Sequence, residues 1–494
     1  MLYLQIAESI ATPIRAGTLA RGDRVPSVRE LARRHRVSLG TVLQAYRMLE
    51  DSRLIEARSR SGYFVAARPP KLLEPEASNP PTSSMAVDVS SLAARVMRLA
   101  HDPACVSFGA ACPSADLFSQ ERVRRAVSRA AQRHRATLTQ YTIGSGDETL
   151  RRAIARHALR MGCQLDPRDV VVTNSCLESI TLCLRSVTQP GDVVALESPT
   201  LFSFLEILES LHLRALEIPT HPRTGLSIDA LQLAFDTQPV KAVLAVPTLS
   251  NPVGSTMPLA DRRRLAQMVA EHRVPLIEDV LYNDLAESDD LRRAVRSFDS
   301  SGHVMICGSF SKTIAPGLRL GWVEAGRWGE NLARLKQATS GSQSVMLERA
   351  LADLLTQPGI EAGYRQMRAS LAGRVDEARG LIAKHFPKGT RVTNPAGGLI
   401  LWAELPRDID ALALFQACLA ESIVIAPGTM FSATDHFRHC IRLGLGGIWD
   451  DPHRRALRRV GALAALMQQK AFARPHDAHI NELNGRQGEL GACR

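Results

Sequence analysis

The sequence predicts two folding units: a small N-terminal unit of helices closed by a hairpin, and a large α/β unit with a mostly parallel sheet. Three observations predict this division. The chain has 494 residues, which is more than one ordinary domain holds. A proline-rich stretch interrupts it shortly after residue 68. Beyond that stretch, short apolar runs alternate with helical patterns, as is typical of a parallel sheet covered by helices.

The composition places the chain among globular proteins of the cytoplasm. Apolar residues make up 45% and charged residues 22%, the usual balance of such proteins. No apolar run approaches the length of a membrane span, and no signal peptide is recognisable at the N-terminus. The nine cysteines form no C-x-x-C pair or metal-like grouping, so we expect reduced thiols, a cytoplasmic location and no metal site.

Positive charge is concentrated at the N-terminus. The formal net charge of the chain is +11, and residues 1–68 contain 12 Arg, no Lys and 6 acidic residues. A basic segment of this kind suggests an anionic partner, of which nucleic acid is one.

Three helices and a hairpin are predicted within residues 1–68. The first helix ends at Gly17 and is indicated by apolar residues at helical spacing: Leu4, Ile6, Ala7, Ile10 and Ile14. Ser27 and Glu30 form a capping box, so a second helix begins there and runs to Val37. Ser38 caps a third helix. Two short strands follow at 54–57 and 62–66.

This order, a helix, a helix–turn–helix and a hairpin, is that of a winged helix-turn-helix domain. The strings GDRVPSVRELA at 22–32, VSLGTV at 37–42 and SGYFV at 61–65 resemble the DNA-binding heads of GntR-type regulators. The resemblance implies contacts to double-stranded DNA from Arg29, Ser38, Thr41, Arg58, Arg60 and Gly62. Leu39 departs from it, because the family usually has a polar or basic residue there. A winged helix that docks on protein is the alternative for this head.

Residues 69–85 are predicted to form a linker. They are rich in proline and poor in apolar residues, and such a segment behaves as a semi-rigid spacer.

The string SFSKTIAPGLRLGW at 309–322 carries the most specific chemical signal. It follows a short apolar run that is typical of a buried strand. The amine of Lys312 can condense with an aldehyde, and pyridoxal phosphate is the aldehyde that proteins hold in this way. The hydroxyls of Ser309 and Ser311 and the guanidinium of Arg319 suit a phosphate group. A surface lysine in a polar loop is the alternative for an isolated S-x-K.

The same string resembles the lysine signature of class I aminotransferases, which are fold-type I enzymes dependent on pyridoxal 5'-phosphate (PLP). The resemblance extends over 86–470 and implies an α/β transferase domain with a small C-terminal α+β subdomain at about 364–470. It also implies roles for further residues. Ser175 and Cys176, the latter through its backbone, are expected to contact the cofactor phosphate. Asn251 and Tyr282 are expected at the phenolic oxygen, and Asp279 at the pyridinium nitrogen. Arg442 and Asn251 are expected to bind the substrate, and Tyr141 to reach the phosphate of a neighbouring subunit.

One position in the large unit departs from that pattern, and one segment falls outside it. Leu201 stands where an aromatic side chain normally stacks on the pyridine ring. Residues 471–494 are polar and aperiodic, and we expect them to be disordered.

A GntR-type head joined to an aminotransferase-like domain resembles the MocR subfamily of bacterial transcription regulators. The resemblance implies a homodimer that binds DNA and senses an amino acid or amine through an aldimine at Lys312. The alternative is an active aminotransferase that uses Lys312, Asp279 and Tyr282 in catalysis and whose head has a secondary role. The residues that bind the cofactor are the same in both hypotheses.

Overall fold

The computed structural model describes residues 2–20, 22–52, 54–58, 61–66, 72–87 and 91–488, with the backbone alone for residues 51, 58 and 470–488. The chain divides into two compact units, Met1–Lys71 and Leu72–Arg494. Each is described by itself below.

The first unit, the head, has the predicted winged-helix order. Its elements are α1 (Leu2–Ala16), α2 (Val28–His35), α3 (Leu39–Asp51), β1 (Ile55–Arg58) and β2 (Gly62–Val65). The capping box at Ser27 and Glu30 is present in both directions, and the Ser38 side chain caps α3. α2 ends earlier than predicted, because Arg36 adopts a left-handed conformation with φ 51° that closes the helix after His35.

The core of the head explains why these elements form. α1 buries the apolar stripe that its sequence predicts, except that Leu4 is exposed. One face of α3 packs beside that stripe and consists of Val42, Ala45, Tyr46 and Leu49. β1 and β2 pair antiparallel, with Ile55 opposite Val65, and both of these residues are buried. The predicted interior of the head is therefore confirmed.

The second unit contains fifteen strands among the described residues. They are β3 (Met85–Ala86), β4 (Val106–Ser107), β5 (Val170–Thr173), β6 (Val193–Ser198), β7 (Arg214–His221), β8 (Gly225–Leu226), β9 (Val240–Ala245), β10 (Leu276–Asp279), β11 (Val304–Ser309), β12 (Gly321–Glu324), β13 (Arg391–Val392), β14 (Ile400–Glu404), β15 (Ile423–Val424), β16 (Ala426–Pro427) and β17 (Cys440–Gly444).

The same part of the chain contains thirteen α-helices. They are α4 (Leu92–Ala100), α5 (Gln120–Arg133), α6 (Glu148–Ala158), α7 (Cys176–Val187), α8 (Phe202–Ser210), α9 (Ile228–Thr237), α10 (Leu259–Glu271), α11 (Asp289–Arg292), α12 (Gly329–Thr339), α13 (Val345–Thr356), α14 (Ile360–His385), α15 (Ala411–Leu419) and α16 (Asp451–Gly488).

The large sheet is mostly parallel, as predicted. Its order is β3-β7-β6-β9-β10-β11-β12-β5, with β8 beside β7. The central pairs from β7 to β11 are parallel, whereas β12 runs antiparallel to both β11 and β5. The carboxyl ends of β9, β10 and β11 therefore meet at one edge of the sheet, which is where ligands bind in such folds.

The small subdomain draws on both ends of the second unit. Its sheet has the order β13-β14-β17-β16, and a separate parallel pair joins β15 to β4. Ala93, Val96 and Phe108 are buried in the same core as α14, α15 and α16. The predicted boundary at about 364 is therefore incomplete, because α4 and β4 also belong to this subdomain. A two-residue strand such as β4 is recognisable only from its partner.

Residues 72–86, which we call the strap, lie on the second unit. Ser78 makes the central contact with the large sheet. Its hydroxyl donates to the Ser198 carbonyl at 2.5 Å and accepts from the Thr220 N–H at 2.8 Å. The strap ends in β3, where Met85 pairs with Ala215 of β7.

The strap also contacts the small subdomain. The Val392 N–H donates to the Leu73 carbonyl at 2.8 Å, and the Asn394 N–H donates to the Glu74 carboxylate at 3.1 Å. Glu76 pairs with Arg391 at 2.6 Å. The strap is therefore bonded to both subdomains of the second unit.

The predicted spacer over 69–85 is wrong for residues 72–85, and the second unit begins at 72 rather than 86. The prediction rested on the scarcity of apolar side chains. The strap is held instead by backbone and hydroxyl hydrogen bonds and by ion pairs, which a count of apolar residues does not reveal. Residues 69–71 of the predicted linker lie outside the described residues.

The tail also differs from its prediction. α16 runs to Gly488, whereas the sequence predicts disorder from residue 471. Helix propensity is a property of single residues, so the absence of apolar periodicity does not by itself exclude a helix. None of the helices in the described ranges combines the length and apolar character needed to cross a membrane.

We expect Ser78→Ala to loosen the strap. The change removes both hydroxyl bonds and leaves the buried Thr220 N–H without its partner. The loss is about 1–3 kcal/mol of local docking free energy, which faster amide hydrogen exchange across residues 73–86 would report. Ser83→Ala, at an exposed position of the same strap, is the matched control. Unchanged exchange in Ser78→Ala would contradict this account.

Candidate functional site

Lys312 lies in the turn that follows β11. The turn is held by Ser309, the last residue of that strand, which is buried. Its hydroxyl donates to the Leu320 carbonyl at 2.9 Å and accepts from the Ser311 N–H at 3.2 Å. Ser309 therefore fixes the path of the turn. Ser311 precedes Lys312 and is half-buried, and the hydroxyls of Ser309 and Ser311 lie 2.8 Å apart.

The amine of Lys312 contacts a loop that the sequence analysis did not single out. Its Nζ donates to the Ala111 carbonyl at 2.9 Å and lies 3.3 Å from the Sγ of Cys112. The loop precedes Pro113 and consists of small residues from Gly109 to Cys112, which allow a close approach to the lysine. That run of small residues before a proline is the signal that would have found it.

Asp279 ends β10 as a buried carboxylate. Its Oδ1 accepts from the Leu281 N–H at 2.8 Å and from the Cys176 thiol at 3.3 Å. Burial raises the pKa of Asp279 to about 6, against the opposing effects of these two donors and of the Lys312 ammonium. Both donors bond to Oδ1, and no described hydrogen bond engages Oδ2.

The side chain of Cys176 thus contacts Asp279, which the sequence analysis did not expect. Cys176 is the first residue of α7 and is buried. Burial also raises the pKa of its thiol well above the ordinary value, so the thiol acts as a donor to Asp279. The sequence places Cys176 at a helix start but does not show that β10 ends beside it.

The N-terminus of α7 comes close to β12 because of a glycine. A Cβ at Gly321 would lie 2.4 Å from the carbonyl carbon of Ser175 and 2.8 Å from the N of Cys176. Ser175 is the N-cap of α7, and its hydroxyl accepts from the Glu178 N–H at 3.3 Å. The first backbone N–H groups of the helix thus lie at the sheet edge, where a phosphate is favoured.

Three further predicted residues meet at the same edge. The Asn251 amide donates to the Tyr282 hydroxyl at 3.4 Å, and its oxygen accepts from the Arg442 guanidinium at 3.2 Å. Arg442 also donates to the Gly109 carbonyl, and its Cζ lies 5.0 Å from the centre of the Phe431 ring. Burial lowers the pKa of Arg442 to about 10 and raises the pKa of Tyr282. The Nε of Arg442 is buried and has no partner among the described residues.

Three further residues that the sequence analysis named are Tyr141, Arg319 and Leu201. Tyr141 lies in a loop and is fully exposed. Arg319 is exposed and adopts a left-handed conformation with φ 52°. Leu201 is half-buried at the start of α8, where it packs against the cores of both subdomains.

In the head, the predicted DNA contacts lie at the surface where they are described. Arg29 is exposed on α2, and Gly62 begins β2 with φ 100°. The hydroxyls of Ser38 and Thr41 lie 2.9 Å apart at the exposed start of α3. The side chain of Arg58 and all of Arg60 lie outside the described residues.

These residues fit PLP. The cofactor needs an amine for its aldehyde, an anion for its pyridinium nitrogen, donors for its phenolic oxygen and N–H groups for its phosphate. Lys312, Asp279, Tyr282 with Asn251, and the start of α7 offer these groups at one sheet edge. The unpartnered Nε of the buried Arg442 leaves a donor for an anionic substrate.

Comparisons with known proteins identify the family of each part of the chain. Residues 114–447 match the family described as aminotransferase class I and II, whose members depend on PLP. Residues 2–65 match the bacterial regulatory proteins of the gntR family.

Two relatives and one solved structure are similar to large portions of this chain. The chain is 33% identical to the HTH-type transcriptional regulator YjiR of Escherichia coli over 93% of this chain and 98% of YjiR. It is 26% identical to the probable rhizopine catabolism regulatory protein MocR of Rhizobium meliloti over 86% of each chain. The multiple substrate aminotransferase of Thermococcus profundus has a similar fold, with a TM-score of 0.72 and 22% identity over 77% of this chain and 96% of that one.

The fused domains and these relatives together show that this chain belongs to the MocR-type GntR regulators, in which a GntR head precedes a PLP-dependent aminotransferase class I and II domain.

Proposed function

We propose that this protein is a transcription regulator of the cytoplasm that binds DNA through its head and senses an amino acid or amine through PLP held at Lys312. The observation that carries the proposal is the placement of the Lys312 amine at the sheet edge that also holds Asp279, in a chain with a GntR head. PLP supplies an aldehyde carbon that exchanges one amine for another when it is bound.

The protein's own residues have separate parts in this proposal. Lys312 would hold the cofactor through its amine. Asp279 keeps the pyridine nitrogen protonated, and Cys176 supports the charge of Asp279. Arg442 binds the carboxylate of an amino acid through its planar guanidinium. Ser311, Arg319 and the start of α7, with Ser175, bind the phosphate.

We also propose that the protein is a homodimer. Tyr141 is fully exposed, and Leu138 and Ile143 on the same segment are exposed apolar side chains. Contact with a second copy would bury these three and bring Tyr141 to the partner's phosphate. A two-fold dimer presents two heads, which suits a DNA site made of two half-sites.

A second candidate function is transamination. Lys312, Asp279 and Tyr282 are all present at the sheet edge, and the buried Arg442 suits an α-carboxylate. Turnover of amino acids with 2-oxo acids would support this candidate.

The first test concerns the attachment of the cofactor. We expect borohydride to fix PLP on Lys312, because its amine lies at the sheet edge with Asp279. Peptide mapping of the reduced protein checks this, and Lys312→Ala should lose the label and the visible absorbance. Lys336 is a suitable comparison, because its amine is buried elsewhere and contacts the Gly341 carbonyl. A label on Lys336 or Lys241 would overturn the assignment.

The second test concerns Cys176. Cys176→Ala removes a donor from the Asp279 carboxylate, so the pKa of Asp279 should rise further above about 6. We expect PLP affinity near neutral pH to fall about fivefold, which corresponds to about 1 kcal/mol for one weak hydrogen bond. A raised pKa disfavours the charged form, so the defect should shrink as the pH rises and Asp279 ionises in both proteins.

Cys183→Ala is the matched control for this test. Cys183 is a buried thiol on the same helix, but it lies 3.6 Å from Cys307 and makes no described contact with Asp279. Spectral titration of PLP binding across pH separates the two variants. Equal affinities and pH profiles in both variants would contradict a specific role for Cys176.

The third test separates the regulator from the enzyme. We expect the PLP-bound protein to change its DNA affinity when one member of a panel of amino acids is added, and to turn over none of the panel at a sustained rate. Lys312→Ala should bind DNA without that response. Sustained turnover of the panel, together with DNA affinity that no amino compound alters, would favour the aminotransferase instead.

A further inference from the structure

The second helix of the helix–turn–helix motif, α3, has an unusual exposed face. Its buried face is complete, since Val42, Ala45, Tyr46 and Leu49 fill the core of the head. The exposed residues on the opposite side, which we call the α3 face, are Leu39, Gly40, Leu43, Gln44 and Arg47. The start of the helix, where a motif of this kind meets the base edges, is therefore apolar rather than charged.

Leu39 and Leu43 form the apolar part of the α3 face. They are four residues apart and therefore lie one turn apart on the same side of the helix. Leu39 is 51% exposed and Leu43 is 37% exposed. A single exposed leucine needs no explanation, but two adjacent ones contribute little to the fold because the core beneath them is already filled. Their position suits an intermolecular contact.

The exposed charges of the helix–turn–helix motif favour a polyanion as the partner. Arg29, Arg33, Arg34 and Arg36 are exposed on or just after α2, and Arg47 is exposed on the α3 face. An apolar pair among guanidinium groups matches the major groove of DNA, where phosphates flank the base edges. The apolar group that this groove presents is the C5-methyl of thymine.

We propose that Leu39 and Leu43 read thymine methyl groups, so that this head selects half-sites with thymine where the start of α3 enters the groove. The proposal rests on the DNA-binding function proposed above and specifies its readout. Gly40 has no side chain to hold the helix away from the bases. Gln44, on the same face, suits the adenine edge of an A·T pair. Leu39, which departs from the GntR pattern, then changes which base is recognised and does not abolish base recognition.

The test uses full-length protein and a duplex that this protein selects from a random-sequence pool. The same duplex is then made with deoxyuridine in place of every thymidine, which keeps base pairing and removes only the C5-methyl groups. We expect affinity to fall about fourfold for each contacted methyl, because a buried CH₂-sized group contributes about 0.8 kcal/mol. Leu39→Ala and the double variant with Leu43→Ala should bind the thymine duplex more weakly and discriminate less between the two duplexes.

Leu4→Ala is the matched control. Leu4 is an exposed leucine of the same head, but it belongs to α1 and is outside the α3 face. This variant should keep the full thymine preference, and thermal unfolding should show that all the variants are folded.

The outcomes separate this inference from the function on which it rests. Absence of DNA binding by the wild-type protein would overturn both, and would favour a protein partner for the head. Equal affinity of the wild-type protein for the two duplexes would overturn the thymine readout alone. A thymine preference that survives in the double variant would do the same, because the preference would then come from another part of the protein or from DNA shape.

Discussion

The buried guanidinium of Arg442 is the constraint on which the second unit depends. A buried charge is costly unless its donors are paired, and Arg442, which is 1% exposed, has partners for both terminal nitrogens but not for Nε. Its partners come from three places: the Asn251 amide after β9, the Gly109 carbonyl after β4, and the ring of Phe431. Arg442 itself belongs to β17 of the small subdomain. One side chain thus joins the small subdomain to the sheet edge where the candidate cofactor residues meet.

The sequence predicted the elements whose determinants are local. The buried strands β5 and β11 are mostly apolar, β10 begins with Leu276 and Ile277, and the capping box at Ser27 fixes the start of α2 without any tertiary contact. The sequence did not predict elements that form only by pairing with a distant segment of the chain. β4 is a strand because Val106 pairs with Ile423, more than 300 residues later in the chain. Such a pairing leaves no signal in a two-residue segment.

The candidate site likewise contains residues that the sequence predicts and residues that it does not. Lys312, Asp279 and Asn251 were predictable because each lies at or after the end of a buried strand, and parallel strands bring their ends together. Cys112 and the side chain of Cys176 were missed because their roles depend on which atoms come within reach of Lys312 and Asp279. A thiol gives no sign of this in the sequence, since most buried cysteines are ordinary core residues.

The strap is bonded to both subdomains of the second unit. Its first residues bond to the small subdomain through Leu73 and Glu74, and its middle bonds to the large sheet through Ser78. Movement of the small subdomain against the sheet must therefore strain or break one of these two groups of bonds. Arg442 of the small subdomain bonds to Asn251 of the large one, so it joins the same two subdomains as the strap does.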